Sequence, residues 1–451
     1  MKQKLLPWIL GLMVLPLIWE GCTSEGPASP PNVILIMADD MGVECLGTYG
    51  SLSYQTPHLD ELAARGIRFE NCIAQPLCTP SRVKIMTGLY NYRNYGFFGH
   101  LGLEQATFGT LMKAAGYSTC IAGKWQLNGL SYKEQITDWN DPSRPVQMGF
   151  DEYCLWQLTR ARKEGERYAN PLIECNGELL EGMTDAYGPD VFAAFVMDFI
   201  ERHKDGPFFI YYPMVLVHDP FVPTPDSECW PEREKRYQGD TAHFKEMVAY
   251  ADLIVGQIVS TLEATALLEN TVLIFTGDNG THPSIYSRTA SGLIRGGKGN
   301  TTDAGTHVPL IVHYPEGKQT GVSYQPLIEF SDFYPTLAEI AGQAVDGSGE
   351  PGQRVDGQSF FPVLTGSPHV PRESAFVHYD PKWGRNVNQY RNQFVRTLDY
   401  KLYSDGRFFD LNTDVLEQQA ISRDSFSETE AEVYQVLQGE LDRHPAFLSP
   451  D

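Results

Sequence analysis

Residues 33–38 read Val-Ile-Leu-Ile-Met-Ala, and Asp39 and Asp40 follow them directly. Two more apolar runs, residues 208–217 and 271–275, have the same nearly continuous character. Strands that are buried on both faces of a sheet read in this way. Because helix-like segments alternate with the three runs, the sequence predicts an α/β sandwich with a large, mostly parallel central sheet.

Three helices are predicted between the strands. Thr56-Pro57 begins one that ends at Gly66, and Thr107 begins another that ends at Gly116. A cap or proline at the start and a glycine at the end is the usual order for a helix. Residues 246–270 place their apolar side chains on one stripe, which predicts a long helix packed against the sheet.

The C-terminal part of the chain has a different pattern. Residues 374–411 form short alternating segments, and Asp405-Gly406 predicts a hairpin turn between residues 400–403 and 407–411. A terminal helix is predicted near residues 428–441, and the Gly/Ser/Pro-rich residues 342–352 predict a loop. We therefore predict a catalytic domain at residues 30–365 and a C-terminal subdomain, with a small antiparallel sheet, at residues 370–451.

The first 22 residues resemble an export signal. Lys2 and Lys4 precede an apolar run that reaches Ile18, and Gly21-Cys22 follows it. This order is typical of a secretory signal peptide at residues 1–22 rather than of a membrane span, and no second apolar run is judged long enough to span. Cys22 is either the lipidated cysteine of a bacterial lipoprotein or part of a simple cleavage region. We expect an exported protein, in the periplasm or, as a lipoprotein, at the outer membrane or cell surface.

Charge and cysteine content limit the partners and the compartment. The formal net charge is −22, so nothing general attracts nucleic acid, and an anionic substrate requires a local basic pocket. An oxidising compartment permits disulfides. Their pairing cannot be read from the sequence. Apart from Cys22 and Cys78, the candidates are Cys45, Cys72, Cys120, Cys154, Cys175 and Cys229.

Oxygen-bearing side chains follow two of the buried strands. Asp39 and Asp40 follow the first strand, and Asp278 and Asn279 come shortly after residues 271–275. Ligands of open α/β sheets bind at the carboxyl ends of strands, so the four side chains could converge there. Carboxylate and amide oxygens favour a hard cation, Ca²⁺ or Mg²⁺, over zinc. Either pair alone could equally cap a turn or a helix, so a third element is needed.

Residues 77–82, Leu-Cys-Thr-Pro-Ser-Arg, supply that third element, in a segment that stops at Gly88. Proline at a first helical position predicts that Cys78 lies just ahead of a helix N-terminus, where the helix dipole stabilises an anion. A soft thiolate is a poor partner for a hard cation. The cysteine and the acidic residues therefore fit together only if an oxygen replaces the sulfur of Cys78.

The motif Cys78-Thr79-Pro80-Ser81-Arg82 resembles the C-x-P-S-R motif of type I sulfatases, in which the cysteine is oxidised to formylglycine. The resemblance extends over nearly the whole mature chain, through residues 394–402. It implies an alkaline-phosphatase-like fold and an arylsulfatase-like sulfuric ester hydrolase that uses one Ca²⁺ ion. It also implies a maturation partner, either a formylglycine-generating enzyme or a radical maturase.

The resemblance implies roles for individual residues. Cys78 would become the aldehyde whose hydrated form attacks sulfur, and Arg82 would orient it. Lys124 and Lys298 would face the sulfate oxygens, and His218 would assist the leaving alcohol. The expected Ca²⁺ ligands are Asp39, Asp40, Asp278, Asn279 and an oxygen at position 78.

Two positions depart from the family pattern. Gln126 stands where the family has a histidine, and glutamine cannot accept a proton at neutral pH, so it could hold the hydrated aldehyde while another group or water takes the proton. His307 stands where the family usually has arginine, and it is either a substrate contact or a structural hydrogen-bonding residue. Lys84 and Arg295 are weaker candidates that could simply be exposed.

The expected function is hydrolysis of a sulfate ester, on a sulfated glycan or small molecule. The nearest alternative is a phosphonate monoester or phosphodiester hydrolase of the same superfamily, because such enzymes also use formylglycine and a metal. A second alternative, motivated by Gln126, is a non-catalytic surface protein that binds sulfated glycans.

Overall fold

A computed structural model of the protein describes residues 30–317, 319–344, 355–382 and 391–447. The predicted signal peptide with Cys22, and residues 345–352 of the predicted loop, lie outside the described residues.

The described chain forms three sheets. One has ten strands, one is a two-stranded hairpin, and one has four strands. The strands are β1 (Asn32–Ala38), β2 (Ile67–Ile73), β3 (Ser118–Lys124), β4 (Glu152–Trp156), β5 (Ile173–Cys175), β6 (Glu178–Leu179), β7 (Phe208–Pro213), β8 (Thr271–Gly277), β9 (Tyr286–Thr289), β10 (Gly292–Arg295), β11 (His307–His313), β12 (Val322–Glu329), β13 (Ala375–Tyr379), β14 (Asn392–Arg396), β15 (Tyr400–Tyr403) and β16 (Phe408–Asp410).

The large sheet has the strand order β12-β2-β11-β8-β1-β7-β3-β4-β5-β6. Its centre, β8-β1-β7-β3-β4, is parallel throughout, and β11 and β5 run antiparallel to their neighbours. The predicted mostly parallel central sheet is therefore confirmed, and β1 lies in its middle.

The apolar runs are buried on both faces, as predicted. In β1, Ile34 and Ile36 belong to the core on one face of the sheet, and Leu35 and Met37 belong to the core on the other. Side chains alternate between the faces of a strand, so a central strand with helices on both sides has no polar face. This is the physical reason for the unbroken run at residues 33–38.

Helices cover both faces of the large sheet. They are α1 (Pro57–Ala64), α2 (Cys78–Thr87), α3 (Asn91–Asn94), α4 (Phe108–Ala114), α5 (Arg144–Gln147), α6 (Gly188–Arg202), α7 (Phe244–Ala264), α8 (Asp303–Thr306), α9 (Phe333–Ile340), α10 (Phe361–Thr365) and α11 (Glu428–Leu441). The starts predicted at Pro57 and after Thr107 are confirmed, and the Thr107 side chain accepts a hydrogen bond from the Thr110 backbone.

Two predicted elements are too long. The strand predicted at 208–217 ends at Pro213, which has no N–H to continue the ladder, although residues 214–217 remain buried. The helix predicted at 246–270 ends at Ala264, because Ala266 adopts a left-handed conformation with φ 57°. Apolar character continues past both ends, so hydrophobicity alone did not predict them.

Residues 241–264, which include α7, are long and apolar enough by length and composition to cross a membrane, which we did not predict. The stripe that includes Met247, Ile254 and Ile258 is fully buried in the core shared with α1 and α6. A helix that buries its apolar stripe in this way packs as a core helix.

The C-terminal sheet, β13-β14-β15-β16, is antiparallel throughout. The predicted hairpin is confirmed, with Gly406 at φ 88° in its turn, and the terminal helix is confirmed at Glu428–Leu441. This sheet packs against the start of α2, because Cys78 and Leu77 share a core with Phe394 and Tyr403.

One disulfide, Cys154–Cys175, joins β4 to β5. The sequence left the pairing open. Among the described cysteines, Cys45, Cys72, Cys78, Cys120 and Cys229 are free.

Candidate active site

Strand register brings the two acidic loops together. Ala38 of β1 pairs with Gly277 of β8, so Asp39 and Asp278 follow at adjacent strand ends. The Asp40 backbone N–H donates to Asp278 Oδ1 at 2.9 Å, and the Asn279 amide donates to Asp40 Oδ1 at 2.9 Å. The four side chains that the two acidic loops supply to the predicted metal site are completely buried.

The glycines around Asp278 are required by close backbone packing. A Cβ at Gly277 would lie 2.2 Å from the Met41 carbonyl oxygen, and one at Gly280 would lie 1.9 Å from the Ala304 carbonyl oxygen. The sequence Gly-Asp-Asn-Gly therefore lets the loop pass close to two neighbouring segments. That passage aims Asp278 and Asn279 at Asp40.

Cys78 lies in the same place. Ligand atoms of Asp39, Cys78 and Asp278 all lie within 4.8 Å of one another. The local prediction was slightly wrong, because α2 begins at Cys78 itself and Pro80 is its third residue. Burial raises the pKa of the Cys78 thiol, so the encoded side chain is a neutral thiol and not a thiolate.

The residues fit a hard cation. Asp278 Oδ2 and Asn279 Oδ1 are buried and have no hydrogen-bond partner. Burial, followed by repulsion from Asp39, raises the pKa of Asp278 well above its usual range. Buried polar atoms without partners are rare and call for an explanation. A cation bound to oxygen ligands would both pair these atoms and neutralise the crowded carboxylates.

Lys124 and Arg82 contact this acidic group. Lys124 Nζ lies 2.7 and 2.9 Å from the two carboxylate oxygens of Asp39. Burial alone would raise the pKa of Asp39, but the charges of Lys124 and other nearby cations hold it below its ordinary value. Arg82 donates to the Lys124 carbonyl oxygen and lies 3.7 Å from Asp278, and its Nε and one terminal nitrogen have no hydrogen-bond partner. Arg82 therefore has donors on this side of the site that make no hydrogen bond.

Lys298 and His218 form a second pair. Lys298 Nζ lies 2.6 Å from Asp40 Oδ2 and 2.9 Å from His218 Nε2. His218 Nδ1 lies 2.7 Å from the Asp219 carbonyl oxygen, which can only accept, so Nδ1 carries the proton and Nε2 accepts from Lys298. Burial and the charge of Lys298 lower the pKa of His218 well below its usual range. The imidazole is therefore neutral.

Gln126 borders the site at Cys78. Its Oε1 lies 3.9 Å from Cys78 Sγ, and its backbone is left-handed, with φ 53°. The structure thus places the Gln126 side chain directly beside Cys78.

Arg167 is a site residue that we did not predict. It is 3% exposed, its guanidinium lies 3.8 Å from Asp39 Oδ2, and it stacks 4.1 Å from the Trp156 ring centre. It lies in a segment of mixed charge, residues 160–167, where no single arginine stands out. Only the folded loop shows which of these cations is buried.

Three candidates lie outside this group of contacts. His307 Nε2 lies 2.7 Å from the Glu70 carbonyl oxygen and Nδ1 lies 3.8 Å from Asp303, which supports the structural alternative for this histidine. Arg295 is exposed and donates to Pro283. The expectation that Lys84 could be exposed is wrong, since Lys84 is fully buried beside Glu329.

Two family models together match nearly all of the described chain. The model of the sulfatase family matches residues 31–343, and a model described as N-sulphoglucosamine sulphohydrolase, C-terminal, matches residues 298–445. The chain is 32% identical over 413 residues to human arylsulfatase A, covering 83% of this chain and 75% of that protein. It is 27% identical to an N-acetylgalactosamine-6-O-sulfatase of Bacteroides thetaiotaomicron, covering 82% and 84% of the two chains.

Solved structures share the fold. A protein in complex with its substrate D-glucosamine-2-N,6-O-disulfate has a TM-score of 0.72 at 21% identity, covering 92% of this chain and 98% of that one. A phosphonate monoester hydrolase of Agrobacterium radiobacter has a TM-score of 0.67 at 20% identity, covering 92% and 95%. Similarity at this level concerns the fold, which sulfatases share with hydrolases of phosphorus esters. With a family match over most of its length and a relative above 30% identity, the chain belongs to the type I sulfatase family of the alkaline-phosphatase-like superfamily, and it is a sulfuric ester hydrolase.

Proposed function

We propose that this sulfatase acts through a formylglycine made from Cys78, beside a bound calcium ion, on a sulfated carbohydrate. The observation that carries the proposal is the convergence of Asp39, Asp278 and Cys78, whose ligand atoms all lie within 4.8 Å. Three separate segments of the chain supply these atoms.

The expected metal ligands are Asp39, Asp40, Asp278 and Asn279. The ion would supply positive charge to an oxygen nucleophile at position 78, and the hydrated aldehyde would supply that oxygen. Asp278 Oδ2 and Asn279 Oδ1 can serve as ligands without losing a hydrogen bond, because neither has one now. Arg82, with two unpartnered nitrogens, would orient the groups on residue 78.

Lys124 and Lys298 would bind the sulfate oxygens. Each ammonium contacts a carboxylate of the proposed metal site at 2.9 Å or less, so each lies next to the proposed ion. Charge grows on the sulfate oxygens in the transition state, and cations already in place are most effective there. Arg167 adds a further cation, 3.8 Å from Asp39 Oδ2.

The proton for the leaving alcohol would come from the pair of Lys298 and His218. The neutral imidazole accepts a hydrogen bond from Lys298 Nζ at its Nε2, and its Nδ1–H donates to the Asp219 carbonyl oxygen. A proton held between two nitrogens at the edge of the site is placed to reach the leaving oxygen. Gln126 cannot take a proton, so its amide would hold the oxygens of residue 78 while water or another group acts as base.

A carbohydrate substrate is supported by relatives. The Bacteroides relative is named for a 6-O-sulfated N-acetylgalactosamine, and one structural neighbour binds a disulfated glucosamine. Export, lipidation of Cys22 and a maturase partner follow from residues 1–22 and from the Cys78 motif, and they remain predictions.

The test compares aryl esters that share one leaving group: a sulfate, a phosphodiester and a phosphonate. We expect the largest kcat/KM with the sulfate, and the Cys78→Ala variant measures the background rate. A larger kcat/KM with either phosphorus ester would contradict the proposal. No turnover together with an unmodified thiol in the residue 78 peptide, by mass spectrometry on protein from its natural host, would favour the non-catalytic alternative.

A further inference from the structure

A cleft of about 210 Å³ opens beside the site. Its wall includes Phe98, Gln126, Ser131, Gln157 and Lys163. A cleft of this size accommodates one ring-sized group next to the reacting atoms.

The cleft borders residue 78 directly. Gln126 faces it and also lies 3.9 Å from Cys78 Sγ. Gly99, another wall residue, donates its backbone N–H to the Thr79 hydroxyl at 3.1 Å. A group in the cleft would therefore be adjacent to a sulfate held at residue 78.

Gln157 is the distinctive residue of the cleft. Its Oε1 is buried without a hydrogen-bond partner, and the residue is only 8% exposed. The backbone carbonyl oxygen of Gln157 accepts a hydrogen bond from the Gln126 backbone N–H at 3.3 Å. Both residues have a left-handed backbone, with φ 58° at Gln157 and 53° at Gln126. Left-handed backbone is uncommon for residues other than glycine and is often found at functional sites. The backbones of the two glutamines are thus held together, and the side chain of Gln157 has an acceptor without a hydrogen bond.

We propose that this cleft binds the sugar ring that carries the scissile sulfate, with Gln157 accepting a hydrogen bond from a ring hydroxyl. The assignment rests on the proposed sulfatase function. A sugar hydroxyl is a donor that can pair Gln157 Oε1, and the ring of Phe98 offers an apolar surface for the C–H face of a sugar. Ser131 adds a second polar contact.

Lys163 would bind a second anionic substituent on the saccharide. It lines the cleft and its side chain is exposed. It lies on the loop between β4 and β5, whose base is joined by the Cys154–Cys175 disulfide. A carboxylate or a second sulfate on the saccharide would face this charge.

The test uses Gln157→Leu, with Gln257→Leu on the exposed face of α7 as a matched control. Substrates are an aryl sulfate and a panel of sulfated disaccharides with and without a uronate carboxylate. For the best disaccharide we expect Gln157→Leu to lower kcat/KM about tenfold or more, because a site built for a hydroxyl loses its partner. The aryl sulfate rate should change by less than about twofold.

An equal loss on the aryl sulfate and the disaccharides would overturn the assignment, and so would aryl sulfate turnover with no disaccharide hydrolysed. If the wild-type protein hydrolyses neither class, the proposed function fails first. The outcomes are therefore distinguishable.

Lys163→Ala tests the assignment without touching a buried residue, and Lys245→Ala is its control. We expect a loss of about threefold to tenfold in kcat/KM that is confined to saccharides with a second anion. An equal effect on saccharides with and without that anion would exclude Lys163 from the assignment.

Discussion

Two buried clusters of charge lie at opposite ends of α2. The site cluster, at its start, consists of Asp39, Asp40, Asp278, Asn279, Lys124 and Lys298. The support cluster, beneath the C-terminal sheet, consists of Lys84, Glu329, Asp332 and Arg372. Lys298 of the site cluster and Arg372 of the support cluster are slightly exposed. The other members are completely or almost completely buried.

The support cluster is fully paired. Lys84 Nζ lies 3.1 Å from Glu329 and 3.1 Å from the Phe376 carbonyl oxygen, and Arg372 bridges Glu329 and Asp332. Asp332 also accepts two backbone N–H groups. Within the described chain, no side-chain nitrogen or oxygen of this cluster is buried without a partner.

The site cluster is not fully paired. Asp278 Oδ2 and Asn279 Oδ1 have no hydrogen-bond partner. Nitrogens of the neighbouring Arg82 and Arg167 also make no hydrogen bond, and they reach carboxylate oxygens of the site only at 3.7 and 3.8 Å. Burial of charge is common to both clusters, so it does not identify the active site. What distinguishes the site is the set of atoms without hydrogen bonds, which are acceptors beside the expected cation and donors beside the carboxylates expected to bind it.

The largest effect is expected at Cys78, the proposed nucleophile. Cys78→Ala should lower kcat/KM for an aryl sulfate by about 10⁴-fold or more, because the proposed reacting oxygen is removed. Thermal unfolding measured alongside should change little. A variant that keeps more than a tenth of wild-type activity would contradict the role of residue 78.

Metal removal should have the next largest effect. Chelation should lower kcat by about 10²-fold to 10³-fold, which corresponds to the loss of one strong electrostatic contact in the transition state. Added Ca²⁺ should restore the rate, whereas Zn²⁺ should not, because the ligands are oxygens. Full activity in excess chelator would show that the unpaired oxygens serve another purpose.

The support cluster should respond in stability rather than in chemistry. Glu329→Gln leaves Lys84 and Arg372 buried without a full counter-charge, so we expect about 3 kcal/mol less stability in urea unfolding. The rate per folded molecule should be unchanged, as active-site titration would show. A fall in kcat without loss of stability would show that the support cluster takes part in catalysis.

Asp278→Asn, in the site cluster, should raise the stability of the metal-free protein rather than lower it. Burial and repulsion disfavour the charge of this carboxylate, so its removal should stabilise the metal-free protein by about 1 kcal/mol at neutral pH. Urea unfolding in excess chelator is the measurement. Destabilisation under those conditions would mean that the site carboxylates are paired as well as those of the support cluster.

Much of the fold was predictable where local signals agree. Residues 33–38 and 271–275 are strands because both faces are buried, and the helix near 428–441 has both its apolar stripe and a Ser427 cap. Prediction failed where apolar sequence continues past an element, as at Pro213 and Ala264. Turn geometry decides those ends, and hydrophobicity carries no information about it.

The residues of the candidate site were predictable from the sequence where they belong to a recognisable motif. The acidic pairs and residues 78–82 stand beside recognisable strand ends and a helix start. Arg167 and Gln157 have no such pattern, because they lie in an irregular loop and reach the site only through the path of that loop. The partner of Cys154 was likewise undetermined, since spacing along the chain does not show which cysteines meet in the fold.

Calcium titration by calorimetry tests the central claim most directly. On chelator-treated wild-type protein we expect one site per chain, with affinity at least about 100-fold weaker in Asp278→Asn and unchanged in Glu329→Gln. A wild-type protein that binds no divalent cation, or an Asp278→Asn variant that binds calcium as tightly as the wild type, would contradict a metal site at these carboxylates.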